Sequence, residues 1–378
     1  MATTFSVRPA QSTPPVRPKR RRRKIRVFTA DDWLSLIGAV VSSLALVIIG
    51  YEHILDGSGT LGFAVCWYLV FLLIYSRLVA LSNPRYIVVE RLVASTLYIA
   101  AAVVIFALGT TVVYVFGQGW HAFVHVNFFT HDMSGVTPTA PLNQGGILAA
   151  IVGTIVEVAI AVGVSVPLGI GTAVFMTEVG GKGSRLVRTV VEAMTALPEI
   201  LAGLFVYVFL IVGFGLSKSG LAVSVAMSVT MVPIVARASE VALRVVPSGL
   251  REASSALGAT HWKTVRKVVL PSARAGLATA MILSVARGIG ETAIPLICSG
   301  ASSFLNVNPV GVPMNSLPLF IYTAYTTHEP IAITRAFGAA SVLLAMVLAL
   351  FVVMRFIVRD KGARAVARSA VRSTGGRP

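Results

Sequence analysis

The chain has 378 residues, 56% of them hydrophobic and only 12% charged, with a mean hydropathy of +0.82. A soluble domain carries about 25% charged residues, so this composition excludes an ordinary soluble globular protein and implies apolar helices that span a bilayer. The net charge of +17 does not mark a nucleic-acid binder, because it sits in two terminal tails with no folded basic module around them.

Residues 1–30 read as a basic cytoplasmic tail. Nine basic side chains (Arg8, Arg17, Lys19, Arg20, Arg21, Arg22, Arg23, Lys24 and Arg26) stand there without an acid before Arg26, and the Pro- and Arg-rich composition of residues 1–24 predicts disorder. The first apolar run follows without a small-residue cleavage pattern, which predicts an uncleaved span. Eight apolar segments of about the ~20 residues that a bilayer requires lie near 33–51, 61–81, 92–117, 146–177, 189–214, 219–236, 276–299 and 331–357. Pro167, with Gly169 and Gly171, predicts a kink or tilt in the fourth, and Pro198 and Pro233 predict breaks in the fifth and sixth. Residues 358–378 form a second basic tail: from Arg355 onward, Arg355, Arg359, Lys361, Arg364, Arg368, Arg372 and Arg377 stand against one acid, Asp360. Basic flanks of this kind stay on the cytoplasmic side and attract anionic lipid.

The loops fit one orientation. The connections after spans two, four and six carry Arg77, Arg85 and Arg91, then Lys182, Arg185 and Arg188, then Arg244, Arg251, Lys263, Arg266, Lys267 and Arg274. The alternate connections carry Glu52 and Asp56, His121, His125, His131 and Asp132, Lys218, and His328 with Glu329. The excess of Lys and Arg therefore places both termini in the cytoplasm. In the long external loop 118–145, Trp120, Phe123, Phe128 and Phe129 read as an aromatic belt, and its three histidines lack metal-ligand spacing. The external loop 302–330 is rich in Asn, Pro and Thr. Cys66 and Cys298 lie far apart in apolar runs and read as small buried hydrophobes.

Charges inside the spans carry the functional information, since lipid rejects them unless they face the bundle interior or an aqueous path. Arg287 and Glu291 in the seventh span are four apart, which predicts one helix face and a pair; Arg237 and Glu240 near the inner end of the sixth are three apart. Glu157, Glu192 and Glu199 are further acids with weaker context. A structural role for the pairs stands beside a pathway role, but buried pairs stabilise poorly. Arginine offers a planar fork to oxyanions, and a neighbouring glutamate would weaken that grip enough to permit release.

Between the sixth and seventh spans lies Arg251–Pro271, a polar, basic interruption that Pro271 closes. Glu252, Ala253, Gly258, Val268, Leu270 and Pro271 match the EAA signature of ABC importer permeases, with Ser254 and Val268 as substitutes at two of its positions. GGILAAIVGT, VPLGIGTAVFMTE, ALPEILAGLFVYVFLI, PIVARASEVALRVVPSGLREASSALGA and ARGIGETAIPL are similar to the PstA-type permeases of phosphate importers over roughly residues 90–357. Glu199 departs from that pattern, which has a small polar residue after the proline. The resemblance implies an all-α, polytopic, MetI-like helix bundle of about eight spans, with two extra spans at 31–89 and a permease domain at 90–357. It implies that the loop 249–271 forms a coupling helix for a cytoplasmic ATPase through Glu252, Ala253, Gly258, Leu270 and Pro271. Arg237, Glu240, Arg287 and Glu291 become candidates for the phosphate path.

The implied partners are a PstC-type permease, a PstB-type ATPase dimer and a PstS-type extracytoplasmic binding protein, in the cytoplasmic membrane of a bacterium. ATP and magnesium would belong to the ATPase. GGKGS at Gly180–Ser184 lacks the spacing and the preceding strand of a phosphate-binding loop, so this chain is expected to hold no cofactor and to be no enzyme. Rival readings are a permease for sulfate, molybdate or phosphonate, an ion-coupled secondary transporter, and a sensing scaffold without flux.

Overall fold

The computed structural model describes residues 30–53 and 59–374; the N-terminal tail to residue 29 and Asp56 lie outside the described residues. Described residues up to Ala107 form one compact unit and those from Leu108 a second. Among them every regular element is helical. Seven helices are long and apolar enough to cross a membrane, and a bent pair makes eight.

In the first unit α1 (Ala30–His53) packs on α2 (Thr60–Ser82). Phe71 stacks on Tyr75 at 5.5 Å, over Ala39 and Val79, and Trp67 Nε1 donates to Ser43 Oγ at 3.0 Å. Next comes α3 (Arg85–Phe123), a single helix of 39 residues.

In the second unit α4 (Asn127–Thr130) leads into α5 (Leu148–Val174), which ends in a π-helical turn, Phe175–Val179. Gly180 and Gly181 at φ +70° and +79° turn the chain into α6 (Gly181–Thr195), so GGKGS is a helix-to-helix turn. The remaining elements are α7 (Glu199–Val206) with a π-helical extension Tyr207–Gly213, α8 (Gly220–Arg244), α9 (Ser248–Ala256), α10 (His261–Thr264), a π segment Val265–Val269, α11 (Leu270–Ile289), α12 (Ala293–Cys298), α13 (Leu317–Thr326) and α14 (Pro330–Thr374).

The core is the α5–α8 pair. Lipid gives helices no hydrophobic drive to associate, so close approach of small residues must supply the packing. Ser224 and Ser228 of α8 donate to the carbonyls of Glu157 and Ala161 at 3.1 and 3.4 Å. A methyl added at Gly169 would sit 2.5 Å from Val235 Cβ. Ile289, Ile294, Cys298 and Val206 complete this core, so Cys298 is buried as expected, whereas Cys66 is half-buried.

Several spans and loops differ in detail from the sequence expectation. The fifth, expected at 189–214, starts earlier, at Gly181, and the break expected at Pro198 is there: it is two helices at 100° to one another, α6 and α7. Pro198 has no amide N–H to continue α6, and it starts α7 instead. The seventh, expected at 276–299, begins at His261, runs to Ile289 and breaks before α12. Pro271 does not close the polar stretch, because the π segment before it shifts the hydrogen-bond register: Leu270 N–H reaches back to Val265 O. The helix thereby absorbs the proline without the clash that an unbroken α-helix would suffer. Pro167 and Pro233 likewise sit within continuous helices. In loop 302–330 the short α13 folds inward, burying Leu317 and Leu319. Finally, α14 continues through the basic C-terminal stretch to Thr374, carried by helix-favouring Ala and Arg.

Candidate functional site

The polar interruption becomes a helical elbow. Within it α9 runs from Ser248 to Ala256, and Gly258 at φ +76° reverses the chain into α10. A side chain at that φ would be strained, which explains the glycine in physical terms. Thr260 Oγ1 accepts from Lys263 N–H at 3.4 Å and caps α10. Val265 and Val269 bury beneath the elbow against Leu243, Ala173 and Ala273, with half-buried Leu270 beside them. Glu252, Ala253, Gly258 and Pro271 stay exposed, as do Leu257 (89%) and Trp262 (64%). One face of the elbow is anchored and the other is presented.

A network of ion pairs holds that elbow and α6 to the bundle. Arg251 Nη2 lies 2.9 Å from Glu178 Oε1, and Arg251 also donates to the carbonyls of Val246 (2.9 Å) and Leu243 (3.2 Å). Glu240, whose side chain is only 4% exposed, collects three guanidinium groups: Arg188 at 2.7 Å, Arg244 at 2.7 Å and Arg237 at 3.3 Å. Arg237 pairs in addition with Glu192 at 2.5 Å. The Arg237–Glu240 pair expected from the three-residue spacing is present, therefore, but within a cluster that ties α6 to α8.

Arg287 and Glu291 do not form the expected helical pair. The helix ends at Ile289, so Glu291 stands beyond it in the break, where its Oε1 accepts from Ala293 N–H at 3.1 Å at the start of α12. The ion-pair partner of Arg287 is Glu199, the first residue of α7. All three nonetheless line one hollow of about 10 Å³, closed by Met227, Thr230, Met231 and Ile234 of α8. Arg237 follows Ile234 by less than one helical turn, so α8 runs from this hollow to the ionic network. Sequence spacing alone could not reveal Glu199 as the partner, since the two residues are far apart in the chain; its departure from the family pattern was the available signal.

At the other end of this unit the loops 118–145 and 302–330 are tied down through backbone groups. Arg335, 1% exposed, donates to the carbonyls of Ala140, Pro141 and Gln144, each at 2.9 Å. Asp132 accepts from the backbone N–H of Leu305 at 2.8 Å and of Ser134 at 3.1 Å. The Leu305 N–H, aided by that of Ser134, holds this carboxyl below the ordinary range against a small opposing effect of burial.

Residues 165–361 match the family model described as "Binding-protein-dependent transport system inner membrane component". The chain belongs to that family, as a multi-pass inner-membrane transport component and not an enzyme. It is 40% identical over 234 residues to "Phosphate transport system permease protein PstA 1" of Mycobacterium tuberculosis (strain CDC 1551 / Oshkosh), covering 62% of this chain and 76% of that protein. It is 38% identical over 234 residues to "Phosphate transport system permease protein PstA" of Mycobacterium leprae (strain TN), with the same two coverages. A chain from a crystal structure of a bacterial alginate ABC transporter, in complex with a pentasaccharide-bound periplasmic protein, shares the fold at a TM-score of 0.50 and 16% identity, over 72% of this chain and 95% of that one.

Proposed function

We propose that this chain is the permease subunit of an ATP-driven inorganic phosphate importer, in which Arg287 supplies the phosphate-binding charge. The observation that carries the cargo assignment is a guanidinium in a membrane-spanning helix, beside a hollow between α7, α8 and the helix break. The relatives named as phosphate transport permeases support it. Glu291 lines the same hollow, fixed by its bond to Ala293 N–H. Arg237 and Glu240 form the inner end of the path, where they also hold α6.

The exposed elbow at 249–271 docks on a PstB-type ATPase dimer that binds ATP and magnesium. Glu252 offers it a carboxylate, Ala253 permits close approach, Gly258 sets the turn, and Leu270 and Pro271 root the elbow in α11. A PstC-type permease completes the path and a PstS-type protein delivers phosphate from outside. Both termini lie in the cytoplasm, residues 31–89 are an added pair of spans, and 90–357 is the permease domain. The apolar spans contact lipid, and nucleic acid has no part.

One experiment tests both ends of this reading: phosphate uptake and ATP hydrolysis by the assembled importer in proteoliposomes. Arg287→Gln abolishes uptake while the complex still assembles. Glu252→Arg uncouples ATP hydrolysis from binding-protein stimulation. Normal uptake by the first variant would reduce Arg287 to a structural role, and normal stimulation in the second would remove Glu252 from the coupling contact.

A further inference from the structure

We propose that Glu199 is the competing anion of the phosphate path: it occupies the Arg287 guanidinium while the path is empty and reclaims it as phosphate leaves. This rests on the reading of Arg287 as the phosphate-binding group. It assigns a role to a residue that the sequence singled out only as a departure, and it moves the releasing carboxylate from Glu291 to Glu199.

Three observations carry it. The ion-pair partner of Arg287 is Glu199, while Glu291 is engaged by a backbone N–H. Glu199 holds Arg287 at Nη2, and a carboxylate seated there keeps an oxyanion off those same N–H donors. With this pair closed, the hollow bounded by Glu199, Arg287 and Glu291 is about 10 Å³, room for about one water molecule and too little for a tetrahedral oxyanion. Phosphate therefore enters this hollow, onto the donors that Glu199 holds, only by displacing Glu199. The Arg287 side chain is 52% exposed within this chain and that of Glu199 31%, so packing inside the chain locks neither of them in place. A multiply charged oxyanion can open such a pair, and the tethered carboxylate can return.

The third observation is the position of Glu199 in the chain. It follows directly on the 100° bend at Pro198, and the other side of that bend is connected to the elbow by an unbroken series of polar contacts. Arg251 in α9 pairs with Glu178 at 2.9 Å, at the end of α5. Ser184 of α6 donates to Met176 O at 2.9 Å in the same turn. Arg188 and Glu192 then fasten α6 to Glu240 and Arg237. Displacement of α9 by an ATPase would act through α6 on the hinge that carries Glu199, so the return of its carboxylate to Arg287 is the step that ATP binding or release can time.

The test is equilibrium binding of radiolabelled inorganic phosphate to the assembled importer in nanodiscs without binding protein, paired with ATP-driven turnover in proteoliposomes. Glu199→Gln keeps the shape and removes the competing charge. It is expected to bind phosphate about tenfold more tightly and to turn over about tenfold more slowly, a differential effect of ordinary size for coupled sites. Glu199→Asp, with a carboxylate that reaches less far, shifts both quantities the same way by a smaller factor and covers the case in which the Gln variant does not assemble. A merely structural bridge between α7 and α11 would leave phosphate affinity unchanged or lower it, and that result in either variant overturns the proposal. Arg287→Gln in the same assay separates the two claims: loss of binding there with unchanged affinity in both Glu199 variants removes Glu199 alone, whereas retained binding removes Arg287 and Glu199 together.

Discussion

The two ends of the second unit hold their charges in opposite ways. Around α6, α8 and α9, side chains pair with side chains: Glu240 with three arginines, Arg237 with two glutamates, Arg251 with Glu178. Around the outer loops, charges are held by the backbone, Arg335 by carbonyls and Asp132 by amides. The arginines of these pairs are 29–59% exposed, whereas Glu240 and Glu178 are 4% exposed, so water can take up a released guanidinium at little cost. A buried guanidinium among carbonyls has no such substitute. The contrast lies in what can replace a lost partner: at the end around α6, α8 and α9, the inner end in the proposed orientation, water can take up the arginines, whereas at the loop end, the outer one in that orientation, a buried guanidinium depends on fixed backbone groups.

The comparison breaks most severely at Arg335. Arg335→Leu leaves the carbonyls of Ala140, Pro141 and Gln144 without their donor, at a cost of about 3 kcal/mol for charged hydrogen bonds of this kind. The expected outcome is a clear fall in the thermal midpoint of the purified importer and proteolytic sensitivity of the loop 138–144. If Arg335→Leu melts like the wild type, the outer frame does not depend on this residue.

Glu240→Gln should cost less although Glu240 is just as central. It frees three guanidinium groups, but Arg188, Arg237 and Arg244 are 31–59% exposed and can rehydrate, so about 1–2 kcal/mol is expected. The loss should fall as salt rises, because salt screens the pairs that remain for comparison in the wild type. A stability loss larger than that of Arg335→Leu would reverse the contrast between the two ends.

Sequence legibility follows the same division. Most spans and the elbow could be read because each depends on local pattern, apolar length or fixed spacing; Gly258 was readable as part of that spacing, and its turn at φ +76° only from the fold. The pair Arg237–Glu240 was readable because both residues lie on one helix. Arg287–Glu199, Arg251–Glu178 and Arg188–Glu240 were not, since their partners meet only when broken helices fold together. The break at Pro198 was readable from the proline, though its 100° angle was not, and the seventh span was misplaced because a π turn before Pro271 lets the helix continue. Arg335 escaped notice because carbonyl partners leave no complementary charge in the sequence.

Asp132 gives the smallest and most discriminating test, because its tie to Leu305 is charged yet lies at the fixed end. A carboxylate whose pKa is lowered in the folded state contributes stability that is fully present above its unfolded value and is lost as pH falls through the folded one. The backbone N–H groups of Leu305 and Ser134 lower it from 3.8, so the tie should be indifferent to pH between 7 and 5 and should loosen only below about 4. Hydrogen exchange at the Leu305 amide, corrected for its intrinsic rate, measures this directly. Asp132→Asn removes the charge but keeps one acceptor, and for so accessible a group about 0.5 kcal/mol is expected, read as roughly twofold faster exchange at Leu305 at neutral pH. Loosening that began already between pH 7 and 5 would mean that the carboxylate is not held low by these amides, and that the outer loops belong with the exchangeable contacts of the inner end.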